Sequence, residues 1–282
     1  GPRLCRRGPK AEGAGMNRNL IIGTALTALF IALAAVSFVW TPYDIETFDI
    51  PNKLKAPTAA HLLGTDHFGR DILSRIIYGA RISLTVGVLS ILLGLIIGGS
   101  FGLVAGYKGG WVDNTIMRVM DVFMSFPTLI MGLLIVAVLG ASLTNLIVAI
   151  ALTVAPRFAR IARAPTVTVK ERDFVEAGRA MGFSDIRIMV VHILPNILGE
   201  ILVMASLWIA TAVRIEASLS FIGLGVKPPI PTWGGMIREG FEFILDAPWL
   251  SVYPGAVILI TVFAFNMLGD GLRDALDPKL RE

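Results

Sequence analysis

The chain has 282 residues, 55% hydrophobic and 16% charged, with a mean hydropathy of +0.73 and a formal net charge of +4. Soluble domains carry about 25% charged residues, so this composition excludes an ordinary soluble domain and puts the chain in the membrane class. Cys5 is the only cysteine, which excludes a disulfide framework and a cysteine-based metal site. The mild basic excess fits membrane orientation rather than a nucleic-acid partner.

Residues 1–15, GPRLCRRGPKAEGAG, are rich in Gly, Pro and Arg and unlike the apolar chain beyond Met16. They read as an appended remnant or an upstream extension, leaving 16–282 as one transmembrane domain. A membrane-spanning helix needs about 20 apolar residues. Asn19 to Tyr43 is free of charge, longer than the apolar part of a signal peptide, and reads as an uncleaved first span over 19–41.

Before the second span, Phe68 to Arg81 places Ile72, Leu73, Ile76, Ile77 and Ala80 on one face and Asp71 and Arg75 opposite. The pattern predicts an interfacial amphipathic helix. The run G-T-D-x-x-G-R-D is acidic but lacks the spacing of a calcium loop, so Asp66 and Asp71 read as capping or ion-pair residues. His61, His67 and His192 show no zinc spacing and no metal is expected.

The second span lies at 82–107. Val122 to Pro156 then runs 35 residues without a charge, about 52 Å as one helix and too long for one crossing. The turn residues Gly140 to Asn145 split it into a third span over 112–139 and a fourth over 143–164. On the third, Asn114, Arg118 and Asp121 form a solvated or ion-paired side, and Pro127 is a kink position. Arg157, Arg160 and Arg163 are expected to snorkel to headgroups; contact with a cytoplasmic subunit is the alternative.

Residues 171–195 interrupt the apolar pattern. Arg172, Glu176 and Arg179 recur at helical spacing beside Phe174, Ala177, Gly178 and Met181, which predicts an amphipathic helix. Gly182 suits its end. Ser184 or Asp185 can cap a second short helix carrying Ile186, Met189, Val190 and Ile193. Pro195 suits the first turn of a fifth span over 196–219. By periodicity alone this insert reads as a surface loop or as a docking element.

Arg214 and Glu216 stand inside the fifth span, where charges are costly and raise a functional hypothesis. Two residues apart, they point to opposite helix faces. One or both are candidates for a translocation path; reach to the outer headgroups is the alternative. The loop Lys227 to Trp233, K-P-P-I-P-T-W, reads as a packed cap or a partner contact. A sixth span covers 248–270. With the N-terminus inside, 17 Lys and Arg fall on cytoplasmic segments, against seven outside: Lys53, Lys55, Arg70, Arg75, Arg81, Lys227 and Arg238. The positive-inside rule then places both termini in the cytoplasm.

The sequence Glu176-Ala177-Gly178-x-x-x-Gly182, nine residues, then His192-Ile193-Leu194-Pro195 resembles the E-A-A-x-x-x-G-x₉-I-x-L-P signature of bacterial ABC importer permeases. Gly178 replaces the second alanine and His192 the isoleucine. HLLGTDHFGRDILSRIIYGARISLTVG (61–87), SLSFIGLGVKPPIPTWG (218–234) and FNMLGDGLRDALDPKLR (265–281) narrow the resemblance to the second permease of dipeptide, oligopeptide and nickel importers.

The resemblance implies an all-α integral membrane protein of six transmembrane helices in the type I ABC importer permease fold, in the bacterial inner membrane. It implies that 171–195 is a coupling-helix loop, with Glu176, Ala177, Gly178, Gly182, Ser184, Asp185, Leu194 and Pro195 meeting an ATPase. Expected partners are a homologous second permease subunit, two ATP-binding subunits, a periplasmic or extracellular substrate-binding protein and the lipid bilayer. Asp66, Arg70, Asp71 and Trp233 are candidate contacts for the binding protein. The chain has no G-x-x-x-x-G-K-[ST] run and no catalytic set, so ATP and Mg belong to partner subunits and the chain itself carries no cofactor. Peptides are the expected cargo, with nickel as the alternative. A secondary transporter is the rival class and a membrane enzyme a distant third.

Overall fold

A computed structural model describes residues 13–276; most of the segment 1–15, and the C-terminal Lys279 and Arg281, lie outside them. The described residues form ten α-helices and no strand beyond one isolated bridge, Thr65 to Asp71. α1 (Gly13–Val36) is apolar over Leu20–Val36. A long loop leads to α2 (Ile72–Lys108). α3 (Gly110–Met124) and α4 (Thr128–Leu139) come next, then α5 (Leu143–Val169). α6 (Asp173–Ala180) and the single turn α7 (Asp185–Arg187) precede α8 (Leu194–Ile222). α9 (Trp233–Phe241) caps one end, and α10 (Trp249–Leu276) completes the bundle.

Four helical stretches are long and apolar enough to cross a membrane: Ile72–Lys108, Leu143–Val169, Asp185–Ile222 and Trp249–Ala275. The expected third span is not one rod. α3 and α4 meet at 90°. Pro127 is the N-cap of α4 and cannot donate to the preceding turn, so the helix breaks at Ser125 to Pro127.

The expected interfacial helix before the second span is also corrected. Ile72 to Arg81 forms the first turns of the continuous 37-residue α2. Its Arg75 is 2% exposed rather than at the surface, because the carboxylates of Asp66 and Glu239 meet it there. Asp71 caps α2, its carboxylate accepting from the Ser74 N–H at 2.8 Å.

The bundle is built on a close approach of α2 and α5. Gly94, Gly98, Gly102 and Gly106 recur every four residues along one face of α2. A Cβ at Gly98 would collide with the backbone of Ala155, and one at Gly102 with that of Ala159. Small residues on both helices let backbones touch, a packing mode typical of membrane helices, where burial from water supplies no drive. Around this seam Val86, Leu146, Ile150, Val154, Phe158, Ala212 and Leu219 form the central core, joining α2, α5 and α8. α1 lies against α10, where Gly23 admits the backbone of Met267 and Leu268.

Candidate functional site

The insert sits at the end of the bundle where α2 finishes and α8 begins. Three residues separate α5 from α6, with Arg172 N–H bonded to the Val169 carbonyl at 3.1 Å. On α6, Val175 and Gly178 face inward; Phe174, Glu176, Ala177 and Met181 are exposed. The inward face keeps Gly178 of the apolar stripe seen in the sequence and adds Val175, while Phe174, Ala177 and Met181 turn outward. Gly182 ends the helix at φ +76°, in the left-handed region that favours glycine. Ser184 rather than Asp185 is the N-cap of α7, its hydroxyl accepting from the Arg187 N–H at 3.4 Å.

The second short helix is not separate from the fifth span. From Asp185 the chain stays helical to Ile222, passing through a π-helical stretch at Ile188–Ile193. Pro195 has no N–H to offer the Val191 carbonyl, and the widened register falls on the turn before it. That register buries Ile188, Met189 and Ile193 and turns Ile186 and Val190 outward. Leu194 is half-buried and Pro195 exposed.

The underside of the insert is anchored. Val175, Ile188, Met189, Ile193 and Ile197 pack with Leu103 and Tyr107 of α2 and Ala162 and Val169 of α5. Tyr107 Oη donates to Asp185 at 2.8 Å, and Lys108 pairs with the same carboxylate. The Arg179 guanidinium lies 5.3 Å from the Tyr107 ring centroid. The outer face offers Glu176 among Met181 (65% exposed), Ile186 (71%), Val190 and Val191. Such an apolar patch around a charge has the character of a protein contact surface.

Arg157, Arg160 and Arg163 each find a partner within the chain. Arg163 forks onto Asp113 with two hydrogen bonds of 2.5 Å, and Arg160 donates to Asp121 at 2.5 Å. Arg157 donates to Thr128 at 3.2 Å and lies 4.7 Å from the Trp208 ring centroid. The sequence showed Asp121 on an ion-paired side but not its partner.

At the opposite end, Asp66, Arg70 and Asp71 are buried. Asp66 accepts from Arg70 Nε at 2.7 Å and stands 3.3 Å from Arg75 Nη1. Glu239 on α9 takes Arg70 and Arg75 at 3.2 and 2.8 Å. Asp71 holds His61 at 2.9 Å and Ser74. The reading of Asp66 and Asp71 as ion-pair and capping residues matches this knot. The expectation of a binding-protein contact through these three side chains is corrected, because they are spent inside the chain. Asp66, His67 and Glu239 offer ligand atoms within 4.8 Å of one another, but the two guanidiniums beside them oppose a cation there.

Trp233 is corrected in the same way. It is fully buried, its indole N–H donating to the Ile76 carbonyl at 3.1 Å and its ring meeting Phe30 edge-on. Lys227 to Trp233 is a packed cap at its tryptophan end. On α8, Glu216 is fully buried and accepts from Ser220 Oγ at 2.7 Å. A path-lining role for Glu216 is corrected by that burial. Arg214 is exposed and donates to Thr211 at 3.1 Å.

A long glycine-seamed bundle, a broken helix and a helical insert packed across one end define the class: an integral-membrane permease of the type I ABC importer fold. A chain of the MetNI methionine ABC transporter, in an inward-facing conformation, superposes with a TM-score of 0.58 at 20% identity, covering 72% of this chain and 96% of that one. Residues 90–282 match the family model described as "Binding-protein-dependent transport system inner membrane component". The chain belongs to that family, within its peptide and nickel branch of ABC importer permeases. It is 43% identical to a dipeptide transport system permease protein DppC of Alkalihalophilus pseudofirmus, over 94% of this chain and 87% of the relative. It is 45% identical to a glutathione transport system permease protein GsiD of Pectobacterium atrosepticum, over 90% and 84%.

Proposed function

We propose that the chain is the permease subunit of a peptide importer in the bacterial inner membrane, with both termini cytoplasmic. Six crossings would come from α1, α2, the bent pair α3–α4, α5, α8 and α10. A homologous second permease would complete the pathway, and a binding protein would deliver peptide from outside. Two ATP-binding subunits, which carry ATP and Mg, would dock on 171–195. The chain itself performs no chemistry; its part is to convert their closure into helix movement. Kinship with dipeptide and glutathione permeases supports peptide as cargo. Arg214, exposed on a span where lipid would oppose its charge, is assigned to the pathway.

One observation carries this reading. The insert presents Glu176, Met181 and Ile186 outward while its underside is fastened to α2 and α5. The test is the whole complex reconstituted in lipid with a labelled dipeptide. Glu176→Ala removes an exposed carboxylate on that face able to form charge-assisted hydrogen bonds with the ATPase. Uptake and binding-protein-stimulated ATP hydrolysis should fall together. Wild-type values for both would return the insert to a surface loop.

A further inference from the structure

α5 enters the insert through only three residues, so α5 is one of the helices to which a displacement of α6 passes directly. α5 carries Arg157, Arg160 and Arg163 at three-residue spacing, and each holds a residue of the bent pair: Thr128, Asp121 and Asp113 respectively. The exposed Arg160–Asp121 pair contributes little alone. The Arg163–Asp113 contact is different. It is a two-pronged fork, and Asp113 is only 13% exposed. Bidentate pairing of this kind fixes orientation as well as distance.

Elsewhere α3 also meets α2, and Met120 is its one buried residue. At its start, Gly109 and Gly110 stand at φ +66° and +54°, two successive residues in a region other side chains avoid. At its end lies the 90° break before Pro127. A helix with a pivot at each end, gripped along its length by arginines of one neighbour, will follow that neighbour.

We propose that Arg163, seconded by Arg160, yokes α3 to α5, so that the two move as one body when the insert moves, while Arg157 ties α5 to the start of α4. These are positioning residues for transport. The yoke carries motion from 171–195 to α3 and hence to the bend at Ser125 to Pro127. The proposal rests on the reading of 171–195 as the ATPase dock.

Two measurements test it in the reconstituted complex, in a Cys5→Ser background. The first is uptake per ATP hydrolysed, a ratio that does not depend on how much complex assembles. Arg163→Gln and Asp113→Asn should each lower it roughly tenfold, within the usual range of coupling between sites. Arg163→Lys, which keeps the charge and loses the fork, should fall between, and the exchange Arg163→Asp with Asp113→Arg should recover most of the ratio. The second is the distance between spin labels at Trp111→Cys and Thr168→Cys, both exposed. It should stay constant between the nucleotide-free state and the ATP, Mg and vanadate-trapped state, and change only when Arg163 is Gln. An unchanged ratio in the single variants, no recovery on exchange, or a label distance that shifts with nucleotide in the unmutated pair would overturn the yoke. If the unmutated complex shows no ATP-driven uptake at all, the importer reading fails instead.

Discussion

Arg214 and Glu216 stand two residues apart on α8 and live in opposite surroundings: Arg214 is exposed, while Glu216 is wholly enclosed. The helical step of about 100° per residue separates them, and the packing decides the rest. Ser83 of α2, Ser220 of α8 and Thr232 ahead of α9 surround the Glu216 carboxyl with hydroxyls. No ion pair involves it among the described residues, and Oε2 completes no hydrogen bond.

This contrast predicts different failures. Glu216→Gln keeps the acceptor for Ser220 and should leave assembly and thermal stability of the complex near wild type. Glu216→Ala opens a cavity and strands the hydroxyls, which should cost about 2–4 kcal/mol. Arg214→Ala should change stability by no more than about 0.5 kcal/mol yet reduce uptake. Thermal unfolding beside uptake separates the cases. Normal uptake in Arg214→Ala would remove that residue from the pathway.

The α2–α5 seam makes a sharper comparison between neighbouring residues. Gly98 faces the backbone of Ala155 with no room for a methyl group, whereas a Cβ at Gly99 would meet nothing within 4 Å. Gly98→Ala should therefore destabilise the subunit by about 1–3 kcal/mol through overpacking. Gly99→Ala should be neutral or stabilising by up to about 1 kcal/mol, from helix propensity alone. Equal thermal midpoints for the two variants would contradict the close approach of these helices.

Local pattern carried some of this structure and not the rest. The stretches 82–107, 143–164, 196–219 and 248–270 were legible because each is an apolar run bounded by charge or turn residues, and each falls on a long helix. The break at Pro127 was legible as a kink position but not as a right angle, since proline removes a hydrogen bond without dictating the new direction. Arg75 was misplaced because its partner Glu239 lies 164 residues away, and a buried ion pair leaves no periodic trace in either segment. Trp233 ends a proline-rich loop that reads equally as a packed cap or a partner contact, because the group that decides for packing, the Ile76 carbonyl, lies 157 residues away. The four-residue glycine period on α2 was present in the sequence and could have shown the seam with α5. Within the insert, glycine and serine marked the boundary, but the continuity from Asp185 to Ile222 required the π-register at Ile188–Ile193, which side-chain spacing does not announce.

The two glycines of the insert differ in what they permit. Gly178 lies within α6, and a Cβ there would sit 3.4 Å from Phe183 and 3.9 Å from Ile188, ordinary contacts. Gly178→Ala should stabilise α6 by about 0.5–1 kcal/mol, because glycine inside a helix loses more freedom on folding than alanine. It also restores the alanine of the E-A-A pattern, so coupling should be kept. Gly182 has open space around it, yet its φ of +76° is the obstacle. Valine is β-branched and strained there by about 1–3 kcal/mol, so Gly182→Val should change the angle at which α6 meets α7 rather than fill a void. Hydrogen exchange of 173–187 should slow in Gly178→Ala and quicken in Gly182→Val. Binding-protein-stimulated ATP hydrolysis should survive the first and be lost in the second, although neither change touches a membrane-crossing helix. A Gly182→Val complex that hydrolyses and transports like wild type would mean that the angle at Gly182 does not matter to coupling.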